Sequence, residues 1–454
     1  MTATAPATST AGRWAVVGGG MSGMATAWML SRAGVEAELL EASDRLGGRS
    51  QSGTLGDHEI TFGGKNIGRR YDLFREFARV HGDHPFEPFG INSSRAVDGR
   101  LRTFDSTKRI RGLVGVARQM TPRDGLRFAG LARRVKAADE NRFLGSAEFT
   151  EIGRRSDDRP LAEYFSHRFA QGIVRPMTVR MNGAEPDEVY LGNFGSNLGM
   201  VLDTYDQLTN GVGRLIDDFA AAHAVRTGVQ VRSLLVRDGR VAGVRASVNG
   251  GEPEELHYDG VALAVPAGAA ASLIEDADPA LAADLARVRY FPAAVILAEY
   301  DRPVFTPEVR GVVFDATEPV SNAGAYGVSD LNLVRYTFSG RAAREALAAG
   351  TGPESLLELA EAQLGRFLPV AAARRRDFVH RSWSHGYCAY LPRYGDFLER
   401  VHSAVGRVGG LELAGDYLRG ASIEACFRAA RDCAGRIATG AGAEVAGRSA
   451  GGPR

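Results

Sequence analysis

Three glycines and one acid near the start of the chain have the types and spacing to hold a dinucleotide. The run R-W-A-V-V-G-G-G-M-S-G-M-A-T-A-W-M-L-S-R-A-G-V-E-A-E-L-L-E (Arg13 to Glu41) places Gly18, Gly20 and Gly23 directly after a short apolar strand, Trp14 to Val17. Gly18 permits the tight turn off the strand, Gly20 lets the backbone approach a pyrophosphate, and Gly23 lets the following alanine-rich helix pack close to the strand. The phosphates would sit on the free N–H groups and positive dipole end of that helix. Glu41, 23 residues after Gly18, closes a second strand and can accept hydrogen bonds from both ribose hydroxyls. The glycine pattern alone is equally an ordinary glycine-rich turn. The strand before it, the helix after it and the acid at the right distance select the dinucleotide reading.

The residues after Glu41 say which dinucleotide. E-A-S-D-R-L-G-G-R sets Gly47, Gly48 and Arg49 directly behind the acid. A nicotinamide site has no use for them, whereas the longer pyrophosphate and ribityl chain of FAD needs a second close backbone approach and a cation.

With those residues the sequence resembles the flavin-containing amine oxidase superfamily, which includes monoamine and L-amino-acid oxidases, protoporphyrinogen oxidase and the phytoene desaturases. Further carriers are Phe62-Gly-Gly-Lys-Asn-Ile-Gly68, Asn210-Gly-Val-Gly-Arg-Leu215, Val229-Gln-Val231 with Val241 to Val244, and Asp259 to Pro266. The C-terminal carriers are Tyr387-Cys-Ala-Tyr-Leu-Pro392 and Leu413-Ala-Gly-Asp-Tyr417, continuing to Ser422-Ile-Glu-Ala425. The match spans both ends and is specific for flavin, not for substrate. It implies an α/β fold: a Rossmann-type FAD-binding domain with a discontinuous α+β substrate domain. The motifs assign 12–70, 205–272 and 405–440 to FAD, and 71–204 and 273–404 to the substrate. Residues 1–11 and 441–454, rich in small residues, read as disordered tails.

The resemblance also implies which residues hold a noncovalent FAD. Gly18, Gly20, Met21, Ser22, Gly23, Glu41 and Ala42 would take the ADP half, with Gly48 and Arg49 at the pyrophosphate and ribityl chain and Val231 at the adenine. Gly63, Gly64, Lys65 and Asn66 would pass beside the isoalloxazine, and Gly415 and Asp416 would approach the ribityl and pyrophosphate. Ser422 and Ile423 open a helix whose N-terminus would face the pyrimidine edge, where the Ile423 N–H would stabilise the anionic reduced flavin. An ordinary helix start capped by Ser422 gives the same local sequence.

For chemistry on a substrate the candidates are Tyr387, Lys65, Asn66 and His385. Tyr387 falls where amine oxidases place one ring of an aromatic cage, but Ser422 occupies the second cage position. Lys65 is one of three lysines in an arginine-rich chain, with Lys108 and Lys136, so it reads either as an amine able to lose its proton or as a surface lysine. His385 could relay protons; Trp383 and Tyr390 read as core. Val295 stands where the family's oxidases carry a lysine near flavin N5, Gly386 where monoamine oxidases carry a flavin-linking cysteine (Cys388 is its neighbour), and Asn66 where amino-acid oxidases carry a carboxylate-binding arginine. Arg335 is an alternative anion contact or a strand-edge charge. These implications favour hydride removal from a C–H next to nitrogen in a mid-sized, largely apolar small molecule, with O2 or another electron acceptor. The alternatives are a carbon–carbon desaturase, and a flavin-dependent isomerase or redox scaffold.

The elements that must position these residues suit a chain of this size. At 454 residues it can bury two domains' worth of core. A net charge of +1 with 24% charged residues implies no nucleic-acid partner, no uncharged apolar run reaches a membrane span, and no metal site is expected. Three cysteines suit a reducing cytoplasm, with Cys426 and Cys433 two helical turns apart and too far to bridge. Between Arg100 and Lys136 stand eleven basic and two acidic residues, partly in helical spacing from Pro122 to Val135. They form a solvated helix face or a dock for a membrane surface, an anionic substrate or a carrier. A homodimer is allowed, and the arginine and glycine usage suggests a GC-rich bacterium and specialised metabolism.

Overall fold

The computed structural model describes residues 12–90, 92–97, 100–105 and 120–450. The first eleven residues, residues 106–119 of the basic stretch and the last four residues are among those outside them. The final helix, Ile423–Ala450, runs past the boundary drawn at 440, so the expected C-terminal tail is helical as far as Ala450. Alanine is the strongest helix former, and adding residues to an existing helix avoids the cost of nucleation.

Trp14, Ala15, Val16 and Val17 are all buried, as are Gly260 to Leu263, which is the pattern of parallel strands covered on both faces. Among the described residues they sit in a five-stranded parallel sheet ordered Val225–Arg226, Glu36–Leu40, Arg13–Val17, Gly260–Leu263, Leu411–Leu413. The helix Met21–Arg32 is buried from Met21 to Leu30 because the sheet covers one side and the helices Asp72–Val80 and Ile423–Ala450 cover the other. Trp28 meets Phe77 edge-on at 5.4 Å between ring centres, and Phe77 meets Phe427 at 5.1 Å. Each such fully buried phenylalanine contributes about 1.5–3 kcal/mol. Glu424 caps the neighbouring helix rather than its own, accepting the N–H groups of Leu73 and Phe74 at 3.4 and 3.2 Å.

A second sheet of seven strands is ordered Arg375–Ala389, Arg289–Tyr300, Leu333–Phe338, Val320–Ala325, Gly311–Val313, Asn92–Val97, Arg100–Asp105, antiparallel except where Gly311–Val313 meets Asn92–Val97. Between the pairs Phe291↔Tyr387 and Ala293↔Trp383 the register shifts, so Ser384, His385 and Gly386 bulge opposite Pro292. Proline has no N–H to give the ladder, and a bulge re-aims the side chains beside it. Among the described residues no helix is long and apolar enough to cross a membrane.

Candidate active site

The glycines make a cradle that only glycine can build. A Cβ on Gly23 would lie 1.8 Å from the Gly18 carbonyl oxygen, and Gly18 turns at φ +105°. Gly47 donates its N–H to the Gly19 carbonyl at 2.9 Å and bridges Gly20, wrapping the second glycine pair around the helix start. A Cβ on Gly20 would nevertheless meet nothing within 4 Å. Met21–Arg32 has no side-chain N-cap and no acid in its first turn, so its positive end faces that open space without a protein partner. An anion without side-chain bulk, such as a pyrophosphate, fits there. Glu41 stands at the edge, accepting from the Gly19 N–H at 2.6 Å and the Ser43 N–H at 2.8 Å. The Val229 N–H donates to the Glu41 carbonyl at 2.8 Å, which brings Val231, on the same strand face as Val229, near the acid.

The far wall comes from the C-terminal motif. Asp416 is buried and accepts from Arg49 Nη1 at 2.7 Å and from the Tyr290 hydroxyl at 3.0 Å. Burial opposes the Arg49 charge, but Asp416 outweighs it and the guanidinium pKa is raised. About 36% of the Arg49 side chain stays accessible in spite of that burial, so this surface faces an interior space. Ser422 accepts the Ala425 N–H at 3.1 Å and is the cap of its helix. Cys388 is buried, and burial pushes its thiol pKa well up.

Lys65 lies between two rings, its Nζ 4.1 Å from the centre of Tyr326 and 4.3 Å from Phe89, donating to Gln207 Oε1 at 3.1 Å. Gln207 in turn donates to Glu87. The ring faces favour an ammonium by about 0.5–2 kcal/mol each, yet burial first and Arg335 second hold the amine pKa well below its ordinary value. Arg335 donates to the carbonyls of Thr61 and Phe62 at 3.0 and 2.6 Å, pinning the segment that leads into Gly63 and Gly64. Gly64 is exposed and a Cβ there would meet nothing, whereas Gly63 is pressed against the Arg49 carbonyl. Asn66 is half-buried and its side chain has no hydrogen bond among the described residues.

The bulge sends its two candidate residues to different neighbours. Tyr387 packs against Gly183, in the fields of Arg335 and Arg180, with burial raising its pKa. His385 instead meets the edge of Tyr290 at 5.5 Å and shares a hydrogen bond with Ser384. Tyr387, Lys65 and Arg335 therefore converge, and His385 stands with the Arg49–Asp416 wall. Trp383 and Val295 pack with Phe62 and Leu297, and Tyr390 is buried with its hydroxyl on the Asp416 carbonyl at 3.2 Å. A surface cleft of about 580 Å³ between Pro279–Ala286 and Tyr394–Val405 is lined by ion-paired Arg154, Asp396 and Glu399, apart from these groups.

A family model of flavin containing amine oxidoreductases matches residues 21–438. The chain belongs to that family. As a flavin-containing amine oxidoreductase it is an FAD-dependent enzyme, and the cradle has the shape and charge for that cofactor. The L-amino-acid oxidase of Sistrurus catenatus edwardsii is 36% identical over 76 residues, which is 17% of this chain and 15% of the relative. Among solved structures, the cyclohexylamine oxidase of Brevibacterium oxydans IH-35A aligns with a TM-score of 0.72 at 18% identity over 94% of this chain and 99% of its own. A protein of Exiguobacterium sp. 255-15 described as a protoporphyrinogen oxidase aligns at 0.69 and 18%, over 94% and 98%. At that identity the likeness is one of fold.

Sequence reasoning missed Tyr290, Tyr326, Gln207 and Arg180. The first three sit outside every motif. Arg180 is one arginine among many, and its having no hydrogen bond or ion pair among the described residues is a tertiary property.

Proposed function

We propose that this enzyme removes a hydride from a C–H bond next to nitrogen, giving an imine from an amine or amide in a mid-sized molecule, with Lys65 handling the proton. FAD in the cradle supplies the acceptor for the hydride. The observation that carries the reading is the placement of the Lys65 amine between the Tyr326 and Phe89 rings, 3.1 Å from Gln207 Oε1, where burial first and Arg335 second lower its pKa. Once deprotonated, the amine would spend one N–H on Gln207 and keep its lone pair free. Hydride loss requires a lone pair on the substrate nitrogen, and a neutral amine at this position can take the proton that would otherwise occupy it. Arg335 and Arg310 oppose a further positive charge beside Lys65, partly offset by Asp330 and Glu87. Tyr387 would orient the molecule with its ring, and Asn66 would supply an amide. We read FAD as noncovalent, because Cys388 is a buried thiol with a raised pKa, a poor nucleophile.

The desaturase alternative has one observation in its favour. Ser422, at the second cage position, has its hydroxyl engaged in capping, so the substrate nitrogen would meet a single ring. Anaerobic mixing with amines, N-acyl amines and conjugated carbon frameworks separates the two. Bleaching of the flavin by nitrogen compounds is expected, and Lys65→Met should slow it by roughly 10²–10⁴-fold. In the wild type the reduction rate should rise with pH through a depressed lysine pKa, and in Lys65→Met this limb should vanish. Bleaching by carbon frameworks alone would transfer the assignment to the desaturase, and an unchanged pH profile in Lys65→Met would remove the proton role.

A further inference from the structure

A small sheet holds the segment that carries Lys65. Just beyond the lysine, Ile67–Gly68 pairs with Tyr205–Leu208, which pairs on its other side with Phe86–Pro88. In that register Glu87 stands directly opposite Gln207, and side chains directly opposite across an antiparallel pair share one face. Three side chains from three segments therefore form a line. Lys65 Nζ donates to Gln207 Oε1 at 3.1 Å, and Gln207 Nε2 donates to Glu87 Oε1. Asp206, the neighbour of Gln207 in the chain, is paired with Arg69 at 3.1 Å and Arg75 at 2.7 Å. Glu87, by contrast, has no ion pair among the described residues, and the Gln207 amide is its partner.

An amide between an amine and a carboxylate has a direction. An ionised carboxylate accepts and cannot donate, so the NH2 end of Gln207 faces Glu87 and its oxygen is left for Lys65. That direction matters most once the lysine has lost its proton. A neutral amine can accept as well as donate, and a reversed amide would give its N–H to the lone pair. Glu87 opposes the reversal, because turning the amide would set two acceptors against each other. The remaining neighbours of the amine leave this task to Gln207. Arg335 donates to the Thr61 and Phe62 carbonyls, Arg310 donates to the Phe89 carbonyl at 2.9 Å, and the Tyr326 hydroxyl accepts the Thr61 N–H at 2.7 Å. Arg335 and Arg310 oppose a charge on Lys65, whereas Asp330 and Glu87 favour it. Gln207 is the one hydrogen-bond partner of Lys65 Nζ among the described residues.

We propose that Glu87 and Gln207 are positioning residues for Lys65: Glu87 fixes the direction of the Gln207 amide, and the amide oxygen holds the amine between its two rings with the lone pair kept for the substrate's proton. The proposal rests on the reading of Lys65 as the acceptor of that proton.

The test labels the FAD-loaded enzyme with [ε-13C]lysine and follows the carbon shifts with pH. The chain has three lysines, so the signal missing from Lys65→Met is that of Lys65. Glu87→Gln removes the charge and frees the amide to turn, and the Lys65 midpoint should fall by at least about half a unit. The exchanged enzyme, Glu87→Gln with Gln207→Glu, keeps a hydrogen bond at each step but sets the carboxylate on the amine, and its midpoint should rise by about one unit or more. A role in folding alone predicts the wild-type midpoint in both. The pH limb of anaerobic flavin bleaching, read with the amine that bleaches the wild type fastest, should move with the midpoint. Midpoints unchanged in both variants, or moving the same way in both, would overturn the proposal. If the exchanged enzyme does not fold, Glu87→Gln decides alone. Midpoints that move as stated while Lys65→Met keeps the wild-type bleaching profile would uphold the pair and remove the proton role of Lys65. A limb lost in Lys65→Met with both midpoints fixed would do the reverse.

Discussion

Replacing Asp416 by asparagine keeps the shape of the cradle wall and removes its charge. The carboxylate is 4% exposed, 2.7 Å from Arg49 Nη1 and 3.0 Å from the Tyr290 hydroxyl. Asparagine can still accept from Tyr290, so the loss is confined to the ion pair. Stripping one member from a buried pair costs roughly 3–5 kcal/mol, because the other stays buried and unpaired. Arg49 retains 36% of its side-chain surface and has the Gly386 carbonyl at 3.4 Å as a weak second acceptor, so water and that carbonyl soften the loss. The expected cost is therefore about 2 kcal/mol, or roughly 2 °C in the melting midpoint of the FAD-free protein. The assay is a double-mutant cycle with Arg49→Met, read by circular-dichroism melts of the FAD-free protein. Asp416→Asn should destabilise the wild type by at least about 1.5 kcal/mol more than it destabilises Arg49→Met. A coupling below about 0.5 kcal/mol would refute the argument, because Arg49 would then be supported by something other than Asp416.

Two further outcomes follow from packing and titration. Gly183→Ala places a Cβ 2.7 Å from the Tyr387 ring at φ +63°; it should cost about 1 kcal/mol in backbone strain and raise KM by shifting that ring, with flavin content unchanged, and wild-type steady-state kinetics would show that Tyr387 does not meet the substrate. His81 and His223 meet through their Nε2 atoms at 2.9 Å, and burial lowers both pKa values, with His84 adding to the shift of His81 and His81 adding to that of His223, which falls from 6.5 to about 4. Protons thus bind the unfolded chain first, so stability is complete above about pH 6.5 and is lost as pH falls through about 4. Solvent around half-buried His223 limits the effect to about 2 kcal/mol. His223→Phe should flatten the dependence of the melting midpoint on pH between 4 and 7, and an unaltered slope would count against the pair.

The parts of the site that the sequence could show are those fixed by local contact. Gly23 had to be glycine because the Gly18 carbonyl occupies its Cβ position, and that constraint lies within six consecutive residues. Glu41 and Asp416 were legible for the same reason, each carried by a short motif. The bulge at Ser384 to Gly386 was not, because strand periodicity gives no warning of where a register shifts. It therefore stayed hidden that His385 and Tyr387, two residues apart, meet different walls. Gly/Ala composition after 440 suggested disorder, whereas a helix already formed by packing extends readily through alanine. That Arg180 has no hydrogen bond or ion pair among the described residues needed the fold to be visible.

Arg49 and Asp416 are 367 positions apart in the chain. A ribosome adding about 5–20 residues per second leaves roughly 20–70 s between emergence of the first half of that pair and emergence of the second. During that interval the glycine turns and their free helix end exist without the wall that encloses them. Flavin retention is thus a completion signal for synthesis: a chain truncated before Asp416 would carry an intact N-terminal motif and still emerge colourless.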